Sequence, residues 1–194
     1  MDALARPVLA LAIPGSIVLV MFAPDRVELV FHRGAFDAAA IASTGDVLRG
    51  IAAGLWATTL GWILVRMLNS AGRNRRATVI VGSAYIANAL ASSLLVDRLG
   101  GFALGFGEAI RGVVILTGVT LALRCGRHLL RLLALPAAAV LIAGAGLVRV
   151  EVSGLLPRLF SGGGVTALAA ALSLWMTVPR VRYLVLSRLR GAMP

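Results

Sequence analysis

"GFALGFGEAIRGVVILTGVTLALR", residues 101–124, decides the class of this protein. Apart from Glu108 and Arg111 it carries no charge until Arg124. A run of about 20 apolar residues is the length of helix that crosses a hydrocarbon core about 30 Å thick. The two charges inside it are expensive there, by about 2.5–3.5 kcal/mol each, so they must pair with one another or face water. Their i,i+3 spacing puts them on one helical face, where self-pairing and cavity lining are both open.

The same pattern recurs outward from this run. Further apolar runs lie at roughly 4–23, 50–68, 77–96, 129–148 and 163–179, which predicts about six membrane spans. Composition agrees: 59% of the residues are hydrophobic and 14% charged, with a mean hydropathy of +0.93. Globular domains run at about 45–50% and about 25%. The fold class is therefore all-α and polytopic, and residues 1–194 read as a single transmembrane domain with no room for a large soluble one. The first run lacks a small-residue cleavage site and is not read as a secretory signal.

The net charge of +11 comes with nineteen basic residues, all arginine. In a membrane chain they report topology rather than nucleic-acid binding. If the N-terminus is cytoplasmic, Arg6, the turn at 66–76, the stretch 124–131 and the tail 180–194 collect most of the arginines on one face. Arg26, Arg33, Arg98, Arg149 and Arg158 fall on the other, beside Asp25, Glu28, Asp37, Asp97 and Glu151. Both termini are thus expected in the cytoplasm, with residues 180–194 forming a basic tail on the inner leaflet. The single cysteine, Cys125, excludes an intrachain disulfide and reads as inert. No Ser/His or metal-ligand cluster accompanies the buried charges, so neither catalytic residues, a metal nor a cofactor is expected, and the chain is not read as an enzyme.

Local signals refine the runs. Pro14 in "LAIPGSI" is either a packing kink or a hinge. Asp37 can N-cap a helix that starts at Ala38 and runs through the second apolar stretch, with Asp46 and Arg49 paired in its first turns. The small residues of "ATVIVGSAYIANALASSLLV", 77–96, predict an interior helix packed on several sides, with Asn88 as an interhelical hydrogen-bonding group. Gly101 and Gly105 stand in GxxxG spacing. "NSAGRNRRAT", 69–78, is a turn able to meet anionic headgroups.

One stretch carries more than physics. The Ala12-Ile13-Pro14 element, Leu29-Val30-Phe31 and the corner Arg33-Gly34-x-Phe36, followed by an acidic helix start and a long helix, resemble the C-terminal half of the MurJ/MviN family of lipid II flippases. That family belongs to the multidrug/oligosaccharidyl-lipid/polysaccharide exporter (MOP) superfamily. The resemblance implies the last six of fourteen helices, one lobe of a transporter in the bacterial cytoplasmic membrane. It would turn an undecaprenyl-linked peptidoglycan precursor between leaflets by alternating access, for cell wall biogenesis and cell shape. It also implies membrane lipids and an N-terminal lobe, in the same gene or a separate chain, as partners. In the family the last two helices form a groove for the lipid tail, here represented by Leu133, Leu141, Leu168 and Leu172. Glu108 and Arg111 stand where the family tends to be uncharged. The alternatives are another exporter of the superfamily, for polysaccharide-linked lipids or drugs, and a non-transporting membrane scaffold or remnant.

Overall fold

The computed structural model describes residues 2–31 and 37–126, together with Ala171. Among them every regular element is an α-helix: α1 (Asp2–Met21), α2 (Ala23–Phe31), α3 (Ala38–Ser70), α4 (Asn74–Leu99) and α5 (Gly101–Leu123). By length and composition α3, α4 and α5 can each cross a membrane, and α1 with α2 forms a fourth, bent candidate. These cover the first four expected spans; the expected spans at 129–148 and 163–179 lie outside the described residues.

The helices do not pack in chain order. α1 and α2 lie on α3, α3 packs along α5, and α5 in turn packs on α4, whereas the consecutive helices α3 and α4 barely touch. α5 therefore sits between its two predecessors. Glycine explains how. Gly50, Gly54 and Gly61 of α3 are set against Phe102 to Phe106, Ala109 and Ile115 to Leu116 of α5, and Gly105 and Gly112 of α5 return the contact to Val47 to Ile51 and Thr58. A Cβ on Gly105 would meet the Ile51 nitrogen at 2.8 Å and the Gly50 Cα at 2.9 Å, besides the Val47 carbonyl. Lipid tails are as apolar as leucine, so burial gives little drive for two helices to associate in a bilayer. Close van der Waals contact between backbones supplies it instead.

Toward the other end of the seam the small residues give way to bulk. Leu60, Leu64 and Leu68 of α3, Leu9 and Ile13 of α1, Ile115 and Val119 of α5, and Ala77 and Ala84 of α4 form one buried cluster. The chain thus packs backbone on backbone at one end and side chain on side chain at the other.

Local signals behave as their chemistry requires. Asp37 caps α3 by accepting from the Ala40 amide at 2.8 Å, and Arg49 donates to Asp46 at 3.2 Å one turn further on. Several hydroxyls bond to their own helices: Thr59 donates to the Leu55 carbonyl at 2.7 Å and Ser83 to that of Ile80 at 2.9 Å. The link from α4 to α5 is the single residue Gly100, at φ +54°, a left-handed conformation that suits glycine.

The structure adds detail at α1 and α4. α1 continues through both Pro7 and Pro14, and the Pro14 ring is fully buried. A break follows at Phe22, where the axis turns by 74° between Pro7–Met21 and Ala23–Phe31. Pro24 begins α2 there and rests on Gly45 of α3, where a Cβ would stand 3.1 Å from the Pro24 Cα. α4 differs from the helix packed on several sides that its composition suggested. Only Ala77 and Ala84 are buried, and Val79, Ile86, Leu90 and Leu94 are exposed. Among the described residues its small side chains make one narrow stripe toward α5.

The seam predicts an asymmetric glycine scan. Gly105→Ala should destabilise the fold by about 1–3 kcal/mol, because a methyl there forces two backbones apart. Gly82→Ala, with nothing within 4 Å of its added methyl, should be neutral or stabilising by up to about 1 kcal/mol. Unfolding of the detergent-solubilised protein, followed by helix content, measures both.

Candidate functional site

Three side chains on one face of α4, Tyr85, Asn88 and Ser92, meet two from α5, Glu108 and Arg111. Positions 85, 88 and 92 follow the i, i+3, i+7 rule, so a single stripe of α4 presents all three to α5. Glu108 lies about 10 Å and Arg111 about 15 Å from the start of α5 at about 1.5 Å per residue, well within a hydrocarbon core of about 30 Å.

The contacts form a chain. Ser92 Oγ donates to Asn88 Oδ1 at 3.2 Å, and Asn88 Nδ2 donates to Glu108 Oε1 at 2.7 Å. The other carboxylate oxygen of Glu108 pairs with Arg111 through its Nη2. The Arg111 guanidinium lies over the Tyr85 ring, 4.9 Å from its centroid, in cation–π geometry. The bonded carboxylate, the guanidinium and the amide thus compensate one another across two helices. Asn88 behaves as the interhelical bonding group that its sequence setting implied.

Glycine makes the approach possible here as well. Gly107 lies against Ser92 and Asn88, so any side chain at 107 would displace the hydrogen-bonded pair. Sequence reading found both charges and the amide, but not Tyr85, Ser92 or Gly107 as their neighbours. The signal was present as the 85/88/92 spacing on α4, but which helix faces that stripe is a tertiary fact.

The cluster is not sealed. The Glu108 side chain retains 33% of its exposure and that of Arg111 retains 16%. The Arg111 Nε is nevertheless buried without a hydrogen-bond partner. A charge pair with one edge open and one donor unmet suits a polar surface better than a face turned to lipid. Among the described residues no three His, Cys, Asp or Glu side chains converge on a metal-binding geometry. At the far end of α5, burial pushes the Cys125 thiol up from its ordinary value, which keeps it protonated and a poor nucleophile.

The corner Arg33, Gly34 and Phe36 lies outside the described residues, as do Leu133, Leu141, Leu168 and Leu172.

Comparison with known proteins adds an independent result. The sequence model of the family described as lipid II flippase MurJ matches residues 1–172. The fold is similar to a solved structure titled "Lipid II flippase MurJ, inward closed conformation", with a TM-score of 0.68 at 12% sequence identity. The match covers 86% of this chain and 36% of that one, so the chain spans little more than a third of the solved protein. At that identity the likeness establishes the fold alone. No curated protein matches the sequence.

The cluster predicts a double-mutant cycle. Arg111→Met alone leaves the Glu108 carboxylate in the membrane without its cation and should destabilise more than the combined Glu108→Gln, Arg111→Met change. The coupling should reach about 1–3 kcal/mol in detergent unfolding.

Proposed function

We infer the function from a premise the matches supply: the chain belongs to the MurJ family of lipid II flippases. It is a multi-pass membrane protein of a transporter family. The finer reading is that it forms the C-terminal lobe of a flippase for a lipid-linked peptidoglycan precursor, lipid II. It would act by alternating access across the bacterial cytoplasmic membrane, with both termini inside and with an N-terminal lobe completing the path.

The observation that carries this reading is the family match over residues 1–172, and the partly open Glu108–Arg111 pair in the middle of α5, particular to this chain, adds to it. Flipping a lipid-linked sugar moves a polar headgroup through hydrocarbon while its tail stays in the bilayer. The protein must therefore supply a polar wall at membrane depth, and no covalent bond need change. A partly exposed carboxylate with its guanidinium partner and an amide already oriented provide such a wall without an uncompensated charge. The position of α4 supports it: its outer side is unpacked among the described residues, and the cluster opens beside that helix. Two-lobed transporters place polar groups at the midplane between repeats, and the share of the solved relative that this chain covers suits one such lobe.

The test is transport in cells. The chain together with its N-terminal lobe should restore growth when the resident lipid II flippase is depleted. Arg111→Gln, which keeps donors but removes the charge, should reduce the translocation rate at least about 10-fold while protein level and helix content hold. Full activity of a correctly inserted Arg111→Gln protein would remove the cluster from the path. Failure of the unmodified pair to rescue, with export of another lipid-linked cargo, would favour a different exporter.

A further inference from the structure

We propose that the groove at the α3–α4 turn binds an anionic phospholipid. The groove holds about 400 Å³ between the start of α4 and the end of α5, lined by Arg75, Arg76, Val79, Ile80 and Ala122. Its walls have two chemistries. Positions 75, 76, 79 and 80 follow one another along one side of α4, so the two guanidiniums stand at the mouth and the aliphatic side chains one turn deeper.

The deeper part is fixed by packing. Ile80 rests on Gly118 of α5, where an added Cβ would come within 2.7 Å of it. The rim is fixed as well, because Arg73 reaches across from the turn and donates to the Ala122 carbonyl at 3.1 Å. That bond satisfies an end carbonyl of α5 and holds a third guanidinium beside the first two.

Arg75 and Arg76 form no ion pair among the described residues, and both are exposed. Arg124 ends α5 at the same end of the molecule, and no acidic residue lies in the first turn of α4. The guanidiniums of Arg73, Arg75 and Arg76 therefore stand at the depth where the helix leaves the apolar core, beside an aliphatic slot. Such a site is complementary to a phosphodiester carrying acyl chains: the phosphate meets the arginines and a chain follows Val79 and Ile80 inward. A soluble phosphate satisfies only half of it. This binding is independent of the transport reading and of which leaflet the turn faces.

The full chain, purified in a neutral detergent, would be titrated with phosphatidylglycerol and with phosphatidylcholine of the same acyl composition. Bound lipid would be counted by native mass spectrometry. The unmodified chain should prefer phosphatidylglycerol, and Arg75→Gln with Arg76→Gln should weaken that preference about thirty-fold, as expected for two arginines near a membrane surface. Val79→Trp, which fills the slot and leaves every charge in place, should also release the lipid. Arg66→Gln, an exposed arginine outside the groove, should leave it bound. Equal loss with Arg66→Gln would reduce the effect to diffuse charge and overturn the proposal. So would the absence of a preference over phosphatidylcholine, or displacement by glycerophosphoglycerol at equal concentration, since that competitor has no chain for the slot. Helix content of each variant distinguishes lost binding from lost fold.

Discussion

The close approach of α3 to α5 governs this structure. Two parallel helices, separated in sequence by the whole of α4, bring their backbones together because Gly50 and Gly54 face Gly105 and Ala109, Gly61 faces Ile115 and Leu116, and Gly112 faces Thr58. In water such a contact would be reinforced by burial of apolar surface. In lipid it rests on dispersion forces between closely spaced backbones, which any larger side chain would lose. The seam places α5 between α3 and α4, and so determines which face of α5 remains for Glu108 and Arg111 to meet α4.

The polar clip between α4 and α5 follows from that placement. α4 offers few buried side chains of its own, and its hold on α5 combines a narrow stripe of small residues with the Ser92–Asn88–Glu108–Arg111 chain. A polar network in hydrocarbon is costly unless each member finds a partner, and this one is complete except at the Arg111 Nε.

Much of this was legible in the sequence, for identifiable reasons. Apolar length gives the spans, because a bilayer imposes a fixed thickness. Asp37 as a cap, the Asp46–Arg49 pair and the Glu108–Arg111 pair are local, set by helical spacing alone. Asn88 was readable because an amide at membrane depth requires a partner. The family was readable from the Ala12-Ile13-Pro14 element and the Arg33-Gly34-x-Phe36 corner, as the match over residues 1–172 bears out. Other features were not legible. Small residues in 77–96 resemble an interior helix, yet the same composition serves a single close contact on one side. The 74° break at Phe22, where Pro24 packs on Gly45, carried no signal that the sequence reading used. The α3 glycines show a close approach only once their partner helix is known.

If the proposed path is right, the Glu108–Arg111 cluster borders water within the membrane. The direct measurement is thiol accessibility in native membranes, on a Cys125→Ala background, using a charged methanethiosulfonate reagent. Tyr85→Cys, beside the Arg111 guanidinium, should react, whereas Val113→Cys, exposed on α5 away from the cluster, should not. Reaction at 85 and not at 113 places the cluster on an aqueous path. Protection of both positions would contradict the account and leave the charge pair as a packing element alone.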